Sequence, residues 1–205
     1  MQREIRPLGR PRQDHQDKPT KAVILDVATQ LFLDKGYQVV SMDDVAKKCG
    51  VTKATVYYYY KTKSDLFTDA MVQMMLRIKK RIFDILSTEK PLKDRLFEFA
   101  KAHLQATFDM DINGFMKEAK ASLSNEQLQQ MKQAEDKMYE VLEQALTASM
   151  EKGEIPRGYP KLGAHAFVAL LTVGNFKDAE HKPIFLSLDE MTEQIVDFYW
   201  NGIGN

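Results

Sequence analysis

From residue 20 to residue 200 the chain is a series of apolar stripes with helical spacing, separated by short polar breaks rich in capping residues. Ile24, Val27, Ala28, Leu31 and Phe32 fall at offsets 0, 3, 4, 7 and 8, which predicts an amphipathic helix over 20–35, stopped by Gly36. Met42, Val45 and Ala46 make a shorter stripe between Ser41 and Gly50. Phe67, Met71, Met74, Ile78, Ile82 and Ile85 recur every three or four residues and predict one long helix from the Thr62/Asp65 capping box to about Leu86. Leu92, Leu96, Phe99 and His103 mark a helix over 91–110, followed by a short element over 114–121. Ser124 and Gln127 open another long helix carrying Leu128, Met131, Met138, Leu142 and Ala145 to Gly153. A loop spans 153–160, and Leu162–Phe176 is apolar almost all round, the pattern of a helix buried on most sides. Ser187 and Glu190 cap a last helix with Met191, Ile195, Phe198 and Tyr199. No stretch reads as a strand and no internal repeat is visible, so the expected fold class is all-α.

The stretch 41–63 has the most specific organisation. Ser41 with Asp44 three residues on is a capping-box start, with an acid at the positive end of the helix. Gly50 ends that helix where a left-handed residue is cheapest, and Thr52 can cap the next. Two short helices joined by a glycine-containing turn match a helix-turn-helix, whose second helix lies in the DNA major groove.

These residues resemble a known family. Val51-Thr-Lys-Ala-Thr-Val-Tyr-Tyr-Tyr-Tyr-Lys-Thr-Lys63 is similar to the recognition-helix signature of TetR-type transcriptional regulators, and Ala28-Thr-Gln-Leu-Phe-Leu-Asp-Lys-Gly-Tyr37 to the end of that family's first helix. The resemblance covers roughly 20–68 and departs at Tyr60, where Phe is usual; the extra hydroxyl must reach water or a partner. It implies base contacts from Thr52, Lys53, Ala54 and Thr55, where Lys53 can donate to guanine O6 and N7 and the methyls of Ala54 and Thr55 can touch thymine. It implies phosphate contacts from Tyr57, Lys61, Lys63 and Ser41, with Tyr58 on base or sugar. Tyr60, four residues from Val56, is expected on the core side instead.

Charge adds to this picture. The net charge is zero, but residues 1–63 carry 12 Lys and Arg against 7 Asp and Glu, and the rest carries 17 against 22. A basic front and an acidic back suit a one-faced binder of polyanions. Residues 1–19, with Pro7, Gly9, Pro11 and Pro19, read as a flexible basic arm; Arg6, Arg10 and Arg12 fit a narrow A·T minor groove, and a solubilising tail is the alternative. The single Cys49 permits no internal disulfide and fits a reducing cytoplasm; packing is preferred over a redox role. No apolar run is long enough to span a membrane. The four histidines are scattered without cysteine ligands, and neither a nucleophile–base pair nor a phosphate-cradling loop is present. No metal, no cofactor and no catalytic residue are therefore expected, and the chain does not read as an enzyme.

The remaining expectations follow from the resemblance. Residues 20–65 form the DNA-binding head and 66–205 an effector-binding and dimerisation part. A pocket for a hydrophobic effector draws on Met71, Met75, Ile78, Phe99, His103, Phe115, Met138, Leu142, Phe167 and Leu171. A homodimer interface lies on the last two helices, through Phe167, Leu170, Val173, Met191, Ile195, Phe198 and Tyr199. The expected partners are double-stranded DNA, a second copy of the chain and a small effector. A helical small-molecule-binding or interaction module without specific DNA binding stays open.

Overall fold

The computed structural model describes residues 19–107, 112–174, 176, 180 and 184–203. The arm residues Arg6, Arg10 and Arg12, and the last stretch expected for the helix over 91–110, lie outside them. Among the described residues there is no strand; the helices are α1 (Thr20–Lys35), α2 (Met42–Cys49), α3 (Lys53–Tyr59), α4 (Lys63–Leu86), α5 (Leu92–Thr107), α6 (Ile112–Lys120), α7 (Asn125–Glu151), α8 (Pro160–Val173) and α9 (Leu188–Ile203). The caps are those the sequence predicts. Ser41 Oγ accepts from Asp44 N at 3.2 Å while Asp44 Oδ2 accepts from Ser41 N at 2.9 Å. Thr62 with Asp65 and Ser124 with Gln127 repeat this reciprocal pattern at the starts of α4 and α7. Gly50 sits at φ 68°, left-handed, and turns the chain from α2 toward α3.

Two apolar cores form. The first gathers Ile24, Ala28 and Phe32 of α1, Val45 of α2 and Val56 of α3 around Leu66, Phe67 and Met71 of α4, and takes in Ala119 of α6 and Met131 of α7. At its centre Phe67 meets Phe32 and Tyr37 edge-on, each with ring centroids 5.0 Å apart, and Phe115 at 5.8 Å. The second core gathers Leu92, Leu96, Phe99 and Leu104 of α5 with Leu142 and Leu146 of α7, Phe167 and Leu171 of α8, and Met191, Ile195 and Tyr199 of α9. Helix α4 contributes to both and packs along α7. The three-helix head is thus joined to the helical body by a continuous helix.

Two expectations change here. Helix α8 buries only Ala164, Phe167 and Leu171 and leaves Leu162 and Val173 exposed, so it is covered on one side only. Of the residues expected at a dimer interface, Phe167, Met191, Ile195 and Tyr199 point into their own chain's core. The physical reason is the α9 stripe itself: Met191, Ile195 and Tyr199 recur every four residues on one face, and α5 and α8 of the same chain cover that face. The Tyr199 hydroxyl donates to Gly163 O at 2.9 Å, and burial pushes its pKa up to about 12. Phe198 lies off that face and stays 71% exposed.

Candidate nucleic-acid interface

Helix α3, the one expected to read DNA, is short, and its two faces are distinct. Val56 and Tyr60 are buried, while Thr52, Lys53, Ala54, Tyr57 and Tyr58 are exposed and Thr55 is half-buried. The four-residue spacing of Val56 and Tyr60 turns them to the core, which places the expected base-reading residues together on the outer face. Thr52 Oγ1 accepts from Thr55 N at 3.2 Å, capping α3, and lies 2.9 Å from Thr55 Oγ1. Tyr58 is 82% exposed, and its ring meets Tyr59 edge-on at 5.0 Å. Ser41 and Lys61 are exposed at the two ends of the motif.

Lys63 differs from its expected phosphate role. Its ammonium donates to Tyr37 O at 2.8 Å and Gln38 O at 3.2 Å and lies 4.4 Å from the Tyr37 ring centroid. Partial burial lowers its pKa. The side chain folds back to tie the α1–α2 loop to the start of α4. Cys49 is half-buried against the first core, and burial pushes its thiol up, away from the reactive thiolate.

The unusual Tyr60 finds its partner on α4. Its hydroxyl donates to Asp69 Oδ2 at 2.7 Å, and Asp69 also accepts from Lys21 of α1 at 3.1 Å and from Gln73 at 3.4 Å. Burial raises the Asp69 pKa, but the hydrogen bonds from Tyr60, Lys21 and Gln73 outweigh it and hold the carboxyl below its ordinary range. Since its folded pKa is depressed, Asp69 stabilises the fold above the unfolded carboxylate range and loses that contribution as pH falls through the folded value. Tyr60→Phe removes one charge-assisted hydrogen bond and should cost about 1–2 kcal/mol near neutrality. Urea titrations of both proteins should show that gap narrowing below about pH 4; a gap constant down to pH 3 would place the hydroxyl's contribution elsewhere.

One participant was invisible in the pattern. Asp43, in the first turn of α2, holds Lys53: the ammonium donates to Oδ2 at 3.0 Å and lies 3.0 Å from Oδ1. The same ammonium stands 5.8 Å from the Tyr57 ring centroid. The Asp43 hydrogen bond and charge raise the Lys53 pKa. In the sequence Asp43 reads as one more acid at a helix start, and nothing in a ten-residue separation pairs it with Lys53.

The residues expected in an effector pocket do not form one group. Met71, Met75 and Phe115 belong to the first core. Phe99, Met138, Leu142, Phe167 and Leu171 belong to the second, where His103 meets Phe99 edge-on at 6.1 Å and burial lowers the His103 pKa. Ile78 is exposed. Open grooves lie elsewhere among the described residues. One, of about 210 Å³, is lined by Asp69, Val72, Leu76, Gln130, Gln133, Ala134 and Lys137 between α4 and α7. Another, of about 610 Å³, runs between α7 and α8 and includes Tyr139 stacked on His165. Neither contains an expected pocket residue.

Comparison with known proteins points one way. Residues 24–70 match the family model described as bacterial regulatory proteins, tetR family. The chain is 24% identical over 169 residues to the HTH-type transcriptional regulator YhgD of Bacillus subtilis, covering 80% of this chain and 87% of that protein. Its fold is similar to that of reduced NemR from E. coli, with a TM-score of 0.74 at 20% identity over 90% of this chain and 97% of the other. It is similar also to the transcriptional regulator FadR of Bacillus subtilis solved with stearoyl-CoA, with a TM-score of 0.70 at 19% identity over 89% and 98%. At these identities the solved structures speak for the fold alone.

Proposed function

Since the chain belongs to the TetR family of DNA-binding transcriptional regulators, we propose that it is a ligand-responsive repressor that binds a palindromic operator as a homodimer. The observation that carries the DNA-reading part is the two-faced α3: Val56 and Tyr60 seat it, and Thr52, Lys53, Ala54, Thr55, Tyr57 and Tyr58 share its outer side. A helix presented this way enters a major groove, with its N-terminal side chains on base edges and its flanking groups on phosphate. Tyr57, Lys61 and Ser41 take the phosphate role. Lys63, tied to Tyr37 and Gln38, acts through the shape of the head.

Lys61→Ala tests this placement. It should weaken binding to selected and unselected duplexes alike, and flatten the salt dependence by about one unit per lost phosphate contact. Tyr57→Phe should weaken both in the same way without the full change in slope. A Lys61→Ala protein with wild-type salt dependence would move the phosphate contact elsewhere.

The homodimer reading rests on apolar surface that the chain leaves uncovered. Leu162 and Val173 on α8 and Phe198 on α9 are exposed, with Leu170 half-buried beside them. Pairing through α8 and α9 would cover these residues and set two α3 helices about one DNA turn, roughly 34 Å, apart. For the effector, the reading is a hydrophobic small molecule received in the second core, where Phe99, His103, Met138, Leu142, Phe167 and Leu171 are gathered. The FadR structure with stearoyl-CoA supports an apolar ligand class for a protein of this fold. Such a ligand would act by binding one arrangement of α4 better than another, shifting the population of DNA-competent heads.

A further inference from the structure

Lys53 is the first residue of α3, yet its ammonium is already engaged by Asp43 of α2 and stands over the Tyr57 ring. The pair is exposed on both sides, with Lys53 57% and Asp43 46% accessible, so it adds little to folding. Its consequence lies in the charge offered to DNA. An unpaired lysine at this place would bind any phosphate. Held against Asp43 it presents no net charge, and moving it to a phosphate would leave a carboxylate unpaired against a polyanion.

We propose that Asp43 is a specificity-determining residue, which holds the Lys53 ammonium for a base edge and denies it to the phosphate backbone. The inference rests on α3 being the DNA-reading helix. The carboxylate engages one side of the ammonium, with Oδ1 and Oδ2 both at 3.0 Å, and the remaining donor capacity of its three hydrogens can go to guanine O6 and N7. The carboxylate thus turns a flexible four-carbon side chain into an aimed donor. On unselected DNA the Asp43–Lys53 pair contributes no counterion release; on a site with guanine in reach it contributes discrimination.

The test uses the full-length protein. Wild type is first used to select duplexes from a random-sequence pool. Wild type, Asp43→Asn and Asp43→Asn/Lys53→Met are then titrated with the selected duplex and with the random pool between 50 and 200 mM salt. Asp43→Asn should melt like wild type and bind the random pool several-fold more tightly. Its salt dependence there should steepen by about one unit per protomer, and the selected-to-random affinity ratio should fall roughly tenfold. The double variant should return the slope to the wild-type value, because the released charge is that of Lys53. An Asp43→Asn protein with unchanged slope and ratio, or uniformly weaker on both DNAs, overturns the proposal. A wild type that enriches no sequence overturns the regulator reading itself; enrichment without an Asp43 effect overturns only the role of Asp43.

Discussion

Phe67→Ala should lower stability by about 3–5 kcal/mol, the range for removing a buried Phe from a packed core, and so lower the melting temperature by roughly 6–20 °C in a protein of this size. Phe67 has no exposed surface and is where four parts of the chain meet: α1 through Phe32, the α1–α2 loop through Tyr37, α4 itself, and α6 through Phe115. Its loss leaves a cavity bordered by aromatic rings whose edges lose their partner. Since the same residues seat the head on α4, affinity for DNA should fall with stability. Phe67→Leu, which refills most of the volume, should lose roughly a third as much. Thermal melts of both variants, with DNA titrations well below the melting point, check this. A Phe67→Ala protein within about 1 kcal/mol of wild type would show that the cluster is not packed as described.

Arg95→Met should cost about 2–4 kcal/mol, close to the range for breaking a buried ion pair and reduced because Glu154 is partly exposed. Arg95 is almost wholly buried at the end of the body far from the head. Its Nη1 donates to Leu86 O at 2.8 Å, where α4 ends, and its Nη2 lies 3.2 Å from both Ser149 Oγ and Glu154 Oε2. Glu154 in turn accepts from Leu92 N and joins Ser149 Oγ at 3.0 Å. One guanidinium therefore fastens the last turn of α4, the start of α5 and the end of α7. Methionine keeps the stem's apolar packing but leaves the Leu86 carbonyl without its side-chain donor and the Glu154 carboxylate without its counter-charge. Arg95→Met/Glu154→Gln should recover part of the loss, since no charge is then left unpaired. High salt should change the wild type's stability little through this pair, because partly buried charges are weakly screened. The DNA affinity of the folded variant at low temperature should match wild type, which separates this joint from the DNA-reading end. Denaturant titrations at two salt concentrations measure the three stability expectations, and DNA titrations the fourth. A single variant as stable as the double would mean that the unpaired Glu154 charge is not what costs stability.

These two sites also divide what could be read from residues alone. The helices were legible because each apolar stripe agrees with a cap. Ser41 with Asp44, Thr62 with Asp65 and Ser124 with Gln127 announce their helices in sequence, and the structure forms all three reciprocal boxes. Gly50 and Thr52 located the start of α3, and the four-residue spacing of Val56 and Tyr60 told its inner face from its outer one. Such features are local: capping, left-handed turns and helical periodicity depend on residues within one or two turns of each other.

Longer separations had to be decided by the fold. Nothing in the pattern says that Lys63 reaches back to the carbonyls of Tyr37 and Gln38, that Tyr60 meets Asp69 and Lys21, or that Asp43 engages Lys53. The stripe on α9 was legible as a stripe, but whether the same chain or a second copy covers it was not; the fold buries Met191, Ile195 and Tyr199 in the second core with α5 and α8 and leaves Phe198 outside. Likewise Met71 and Phe115 fall in one core and Phe99 and Phe167 in the other, because α4 is long enough to serve both. By itself the sequence determined the helices, their capped starts and the helix proposed to read DNA, since those are short-range matters of capping and period. Only the tertiary structure decided which apolar faces meet and which charges are already engaged, since a stripe or an ionic group carries no record of its partner.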